Sequence, residues 1–347
     1  MNITTIGLDL AKNVFQVHGV NEQGKVVLRK KLKRADMAKF FATLVPCLIG
    51  MEACAGAHHW ARKLTEFGHT VKLIAPQFVK PYVKGNKNDA RDAEAICEAV
   101  SRPSMRFVSV KTVEQQAVLS LHRARQGFVA ARTAQANQLR GLFSEFGIVI
   151  PKGVQHLAHR VPEILEDVEN GLSGSSRALF RRLFNHFLEL DRQAKEMEEQ
   201  IKAWHRENAE SQRLEDIPGI GPLTATALVA AIGNASAFDN ARQLAAWLGL
   251  VPGQRSSGGK EKLLGITKRG DVYLRMLLIQ GARSVLIRLK RRTDQAEGWL
   301  AQLVKRRHSN VAAVALANKN ARIVWALLTD GREYQPGYVC ARVSVAS

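Results

Sequence analysis

Apolar residues along positions 1–110 follow two periods in turn. Ile3–Asp9 is a short apolar run rich in β-branched residues, and Val14–Val20 alternates. In the latter, Val14, Gln16, His18 and Val20 fall on one face and Phe15 and Val17 on the other, as a half-buried strand requires. Lys25–Leu32 follows the Asn21–Gly24 turn and predicts a third strand, so the three form an antiparallel meander. The period then lengthens. A helix is predicted over Arg34–Leu44, a strand over Cys47–Met51, a helix over Ala57–Phe67, a strand over Thr70–Ile74, and a helix from about Asn88.

The pattern changes after residue 110. Residues 112–146 are rich in Gln and Arg and helical in period, with Val118, Leu121, Phe128, Leu139, Leu142 and Phe143 as the apolar positions. Pro151, Pro162 and Gly171–Gly174 mark a looser connection. Arg177–His205 is a second long helix, with an apolar stripe at Phe180, Leu183, Phe184, Phe187 and Leu190. The pair reads equally as a helical hairpin or coiled-coil arm and as an ordinary bundle core. Residues 209–347 read as helical and basic, broken by a Gly/Ser-rich loop at Pro252–Gly259. The expected organisation is therefore an α/β domain at 1–110, a helical region at 111–208 and a helical C-terminal domain at 209–347. Three meandering strands followed by αβαβα is the order of an RNase H-like fold, a step that rests on analogy between folds.

Charge narrows the function. The 347 residues carry 51 Lys and Arg against 31 Asp and Glu, a net +20. A polyanionic partner is the natural reason for such an excess, and nucleic acid suits it better than a membrane surface, since no basic amphipathic anchor stands out. Cys47, Cys54, Cys97 and Cys340 lack metal-ligand spacing and read as reduced thiols of a cytoplasmic protein. No stretch approaches 18 uninterrupted apolar residues, so no membrane span is expected.

Three motifs carry candidate chemistry. Asp9 ends the first strand in Gly-Leu-Asp and Glu52 ends another in Gly-Met-Glu, while Asp89 and Asp92 stand i, i+3 at a helix start. Carboxylates converging from strand ends and a helix suit Mg²⁺, and metal ions ~4 Å apart are one known arrangement for phosphodiester chemistry. Singly, Asp89 reads as a helix N-cap and Asp9 as a turn residue. Pro218-Gly219-Ile220-Gly221 lies between helical segments, as in a helix–hairpin–helix. Gly219 and Gly221 would there let backbone N–H groups approach a DNA phosphate, or else form a plain interhelical turn. Ser256 and Ser257 lie in a loop with Arg255, Lys260 and Lys262, and Lys268 and Arg269 follow. Cations there could hold a phosphate for a serine nucleophile. Locally the two serines are not distinguished, and a flexible loop reads equally well. Arg288-Leu-Lys-Arg-Arg and Lys305-Arg-Arg-His are further basic clusters, suited to phosphate or to plain solvation.

In this order, Gly7-Leu8-Asp9, Glu52, Asp89 with Asp92, Pro-Gly-Ile-Gly at 218–221 and Pro-x₄-Ser-Gly at 252–258 resemble the DEDD transposases of bacterial insertion sequences, the bridge-RNA-guided recombinases. The resemblance covers nearly the whole chain. It implies a RuvC-like N-terminal domain in which Asp9, Glu52, Asp89 and Asp92 hold Mg²⁺. It also implies that Ser257, the serine before glycine, attacks DNA and becomes covalently linked to it. Implied partners are donor and target DNA, a structured guide RNA and three further copies of the chain, as a dimer of dimers with composite active sites. The implied location is the bacterial cytoplasm, at the nucleoid. A guide would account for the lack of a base-reading helix-turn-helix. Two rival readings are a RuvC-type junction resolvase that hydrolyses with water, and a non-catalytic nucleic-acid-binding protein.

Overall fold

A computed structural model describes residues 2–84, 88–291 and 298–336, leaving the side chains of Ser257 and Lys290 undescribed. The chain forms two compact units, one of Met1–Glu114 with Ile232–Ala237 and one of Gln115–Ala231 with Phe238–Ser347.

The first unit is built on six strands: β1 (Thr5–Asp9), β2 (Val14–Val20), β3 (Val26–Lys33), β4 (Leu48–Glu52), β5 (Thr70–Ile74) and β6 (Phe107–Val108). Their order across the sheet is β3-β2-β1-β4-β5-β6. β1, β2 and β3 pair antiparallel, β4 and β5 continue parallel to β1, and the short β6 returns antiparallel. This mixed sheet is consistent with an RNase H-like transposase domain. The meander and the alternating faces of β2 were readable in the sequence; the short β6 and a four-residue helix, α3 (Pro76–Val79), were not.

Strand pleating divides the sheet into two faces. Ile6, Leu8, Phe15, Val17, Ile49 and Met51 join Phe41 of α1 (Met37–Ala42) and Trp60 and Leu64 of α2 (Ala57–Glu66) in one core. The opposite face takes α4 (Asp89–Val100), whose Ile96, Ala99 and Val100 pack with Ile74 and Val79. Two glycines make that approach possible. Gly7 and Gly50 are register partners on β1 and β4. A Cβ on Gly7 would lie 2.0 Å from the Ala93 carbonyl oxygen and 2.4 Å from the Cys97 nitrogen; one on Gly50 would lie 2.7 Å from Val100 Cβ. The sheet is thus cut away where the helix backbone crosses it.

In the second unit, α5 (Val113–Ser144) and α7 (Gly174–Glu207) run antiparallel. Arg125 pairs with Glu198, Arg132 with Asp191, and the Phe143 and Phe180 rings meet at 4.3 Å between centroids. The connection expected to be loose holds a further helix, α6 (Val154–Glu166), with Pro162 inside it. An interior proline costs about 3 kcal/mol. Leu157, Val161, Ile164 and Leu165 on the buried face stabilise by roughly 1.5–3 kcal/mol each, so burial overrides the breaker.

After α7 come α8 (Ala209–Glu215), α9 (Pro222–Ile232) and α10 (Ala241–Trp247). Next is an antiparallel ribbon of β7 (Pro252–Ser257) and β8 (Lys260–Ile266), then α11 (Val272–Arg291), α12 (Trp299–Arg306) and α13 (Ser309–Asp330). The ribbon corrects the expectation of a plain loop. Gly258 and Gly259 both take positive φ, 59° and 74°, as a two-residue hairpin turn demands. The strands are too polar to have announced themselves by alternation. By length and composition alone α13 could cross a membrane, although its run of apolar residues is interrupted. It packs instead as a core helix, burying Ala313, Leu316, Ala317 and Val324, and its Asn320 donates to the Pro218 carbonyl.

Gly7→Ala is expected to cost more stability than Gly50→Ala, because the first meets helix backbone and the second a side chain. Urea denaturation should give a loss of about 3 kcal/mol for Gly7→Ala and about 2 kcal/mol for Gly50→Ala, whose new Cβ meets Val100 at its branch point.

Candidate functional site

Helix α4 begins with Asn88 as its N-cap, the Asn88 side chain accepting from the Ala90 N–H. The sequence had allowed Asp89 that role. Relieved of it, Asp89 stands in the first turn with Asp92 one turn on, both on the edge of α4 that faces the end of β1. Their carboxylates and that of Asp9 each offer an oxygen within 4.8 Å of the other two. Asp9 is half-buried and Asp89 is exposed. Glu52 ends the neighbouring β4; it is not one of this close trio, but its charge reaches Asp9.

These surroundings push the Asp9 carboxyl up from 3.8 to about 6. Burial is the largest cause, followed by the negative charges of Asp92, Asp89 and Glu52, opposed by the Leu10 N–H that donates to it. Such clustered carboxylates are costly without a cation among them. An all-oxygen donor set of this kind suits a hard divalent ion.

Beside this cluster lies an open groove of about 410 Å³, lined by Gln16, His18, Arg29, Lys31, Asn88 and Arg91 among others. The sequence reading passed over it. Its signal was the cationic run Arg29–Lys33 on a strand, with Leu32 as the one apolar position, which shows basic side chains on a face shared with Gln16 and His18.

The second unit holds the remaining candidates. On the ribbon, Arg255 pairs in register with Lys262, Ser256 with Glu261 and Ser257 with Lys260. Ser256 Oγ accepts from Gln254 Nε2 at 2.8 Å, whereas the Ser257 side chain lies outside the described residues. Lys268 and Arg269 sit in the next turn, Lys268 at a φ of 54° that a side chain rarely adopts. The turn is held to the end of α10. A Cβ on Gly249 or Gly270 would lie 2.0 Å or less from backbone oxygen there, and the buried Arg275 donates to the Leu248 and Arg269 carbonyls.

Gly219 and Gly221 lie between α8 and α9 and differ in their surroundings. Gly219, at φ 91°, abuts the backbone of Gly281 in α11, while a Cβ on Gly221 would meet open space. Close helix packing therefore accounts for Gly219, and its partner Gly281 was not foreseen. In the basic clusters, Lys305 and Arg306 end α12, and Arg292 lies outside the described residues, as does Cys340. Cys47 and Cys97 are free thiols pushed up to about 11 by burial, hence unreactive, and Cys54 is also free.

Two histidine networks are also new. His205 bridges Ser211 Oγ (2.7 Å) and Glu215 (2.8 Å). This resembles a catalytic triad, but Ser211 has no exposed surface, so the set locks the α7–α8 corner. His122 links Tyr273 Oη (2.9 Å) with Thr226 Oγ1 (3.0 Å), and burial lowers its pKa to about 4, keeping it neutral.

Comparison with known proteins agrees with this architecture. Residues 6–148 match a DEDD transposase family of the IS110 type, described as "Transposase", and residues 211–297 match "Transposase IS116/IS110/IS902 family". The chain is 54% identical to the "Probable family 20 transposase" of Pseudomonas aeruginosa, over 97% of this chain and 100% of that protein. It is 47% identical to the "Transposase for insertion sequence element IS1111A" of Coxiella burnetii, over 97% and 92%. With the "Transposase for insertion sequence element IS1328" of Yersinia enterocolitica it shares 45% identity, over 95% and 98%. A DEDD domain suggests a divalent metal, in keeping with the donor set of Asp9, Asp89 and Asp92. The chain belongs to the IS110/IS116/IS902 family of insertion-sequence transposases, enzymes that cut and rejoin DNA.

Proposed function

We propose that this transposase is a site-specific recombinase in which Asp9, Asp89 and Asp92, with Glu52 beside them, hold Mg²⁺ and Ser257 is the nucleophile. The observation that carries the proposal is the convergence of three carboxylates within 4.8 Å, one of them pushed up to about 6. Bound there, the metal would neutralise charge on a scissile phosphate and orient it. Asp9 presents its carboxylate from the rigid end of β1, and Asp89 and Asp92 present theirs from the first turn of α4, so the donor positions are set by sheet and helix.

The serine assignment is supported by register. Ser257 occupies the position opposite Lys260 and in step with Arg255 and Lys262, whereas Ser256 is opposite Glu261 and engaged by Gln254. A phosphate brought to the ribbon would meet Arg255, Lys260 and Lys262, with Lys268 and Arg269 in the turn that follows. Attack by the serine oxygen on phosphorus forms one P–O bond and breaks another. The serine proton ends on the deoxyribose oxygen that leaves, and reversal of the step on a second DNA end rejoins the strand. Gly221, with open space around it, is the better candidate of the Pro-Gly-Ile-Gly pair for a DNA backbone contact. A structured guide RNA, a tetramer and the division into RuvC-like, helical and serine-ribbon domains belong to the same proposal.

Purified protein with Mg²⁺, end-labelled junction DNA and RNA transcribed from the element's flank should give a denaturant-resistant protein–DNA adduct. Ser257→Ala should abolish it and Ser256→Ala should retain it. Metal-dependent cleavage without an adduct, unchanged in Ser257→Ala, would replace the serine with water as nucleophile. Asp9→Asn should lower cleavage by on the order of 100-fold or more, given several kcal/mol of charge stabilisation.

The raised Asp9 carboxyl has a pH signature. The folded, metal-free protein holds a proton that the unfolded chain releases near 3.8, so the stability it contributes is present at lower pH and lost as pH rises through about 6. Asp9→Asn should therefore melt higher than the metal-free wild type at about pH 8, by on the order of 2 °C. Mg²⁺ should raise the wild-type melting temperature at about pH 8 and have little effect at about pH 5.

A further inference from the structure

The groove beside the carboxylates is built from cross-strand ladders. Asp9 pairs with Gln16, and Gln16 with Lys31; one step down, Gly7 pairs with His18, and His18 with Arg29. Directly paired residues share a face, and Gly7 fixes which one: its missing Cβ lies against α4. Lys31 and Arg29 therefore stand on the face that carries Asp9. Lys30, between them, points the other way, its ammonium 4.7 Å from the centre of the Phe40 ring. Arg91 of α4 closes the far side.

Three features set this groove apart from a solvated charged surface. Among the described residues no carboxylate forms an ion pair with Arg29 or Lys31, whereas Arg125, Arg132 and Arg192 of the second unit are all paired. Cations outnumber acids on its walls, with Arg29, Lys31 and Arg91 against Glu94. Its wall also holds His18, only 4% exposed. Burial, the largest cause, and Arg29 lower the His18 pKa against the pull of Glu94, which favours the neutral ring. Lysines on an edge strand also guard against pairing with another sheet. That role asks nothing of Arg91 on a helix or of a buried histidine.

We infer that this groove binds the phosphodiester backbone of the DNA strand being cut, seating a phosphate between Arg29, Lys31 and Arg91 to one side of the scissile position. The inference rests on the carboxylate cluster being the cutting centre. Lys31 lies two strand spacings from Asp9, about 10 Å, which corresponds to about three nucleotides of duplex rise. The contact is with phosphate, so it fixes the register of the strand and is blind to base identity.

Fluorescence anisotropy of the full-length protein on a labelled duplex carrying the element junction, over about 50–300 mM salt, tests this. Arg29→Ala/Lys31→Ala should weaken binding about tenfold and reduce the slope of log affinity against log salt by about 1. Arg29→Lys/Lys31→Arg should restore both. A neutral methylphosphonate placed about three nucleotides from the cut should weaken wild-type binding more than that of the double-alanine variant, which keeps Arg91. Both substituted residues are exposed, and unchanged circular dichroism and melting confirm folding. An unchanged salt slope overturns the inference, as does a loss seen with single-stranded RNA and absent with DNA. Asp9→Asn separates the two claims: a variant that still cuts defeats the metal reading and the placement of the cut beside the groove, while an unaltered slope in the double-alanine variant, with cutting lost in Asp9→Asn, defeats the groove alone.

Discussion

The first unit depends on the close approach of α4 to the sheet at Gly7 and Gly50. That contact brings the first turn of α4 beside the end of β1, and with it Asp89 and Asp92 to Asp9. The carboxylates repel one another, and the raised Asp9 carboxyl registers that cost. They stay together because Ile96, Ala99 and Val100 are buried on the same helix. Packing that favours the helix at the sheet is thus set against electrostatics that disfavour its acidic start. A divalent cation bound there would remove the conflict, and phosphodiester chemistry would use it.

The same unit sorts opposite charges into adjacent places. Acids end β1 and begin α4, while cations line β3, two strands from β1. A DNA strand lying across this face would meet a carboxylate cluster suited to a cation beside a groove lined with cations. The chain's net charge of +20 supplies long-range attraction for DNA, and this arrangement gives that attraction a direction on the first unit. In the second unit many cations are neutralised: Arg125 and Arg132 hold α5 to α7, and Arg275 is spent on backbone carbonyls. The exposed ribbon, by contrast, carries Arg255, Lys260 and Lys262, which form no ion pair among the described residues.

Much of this was legible in the sequence where local pattern and tertiary demand agree. Alternation placed β2 to the residue and assigned its faces, and acids at the ends of apolar runs pointed to Asp9 and Glu52. The i, i+3 spacing joined Asp89 to Asp92, although only the structure gave the N-cap to Asn88. Long-range packing defeated the reading elsewhere. Helix α6 persists through Pro162 because four apolar side chains are buried on it, which no local signal weighs. The β7–β8 ribbon lacks an apolar face, so Gly258-Gly259 was its one sequence mark. Gly219 and Gly281 meet across sixty residues of chain, and the groove cations are assembled from two elements. Neither pairing leaves a periodic trace.

The central claim is that Asp9, Asp89 and Asp92 hold a divalent cation. Its most direct test is anomalous diffraction from crystals of the wild-type protein grown with Mn²⁺, collected at the manganese edge above about pH 7. The account predicts an anomalous peak among these three carboxylates with oxygen ligands at about 2.0–2.3 Å, lost in Asp9→Asn. Well-ordered carboxylates with no peak between them, or a peak that survives Asp9→Asn, would contradict it.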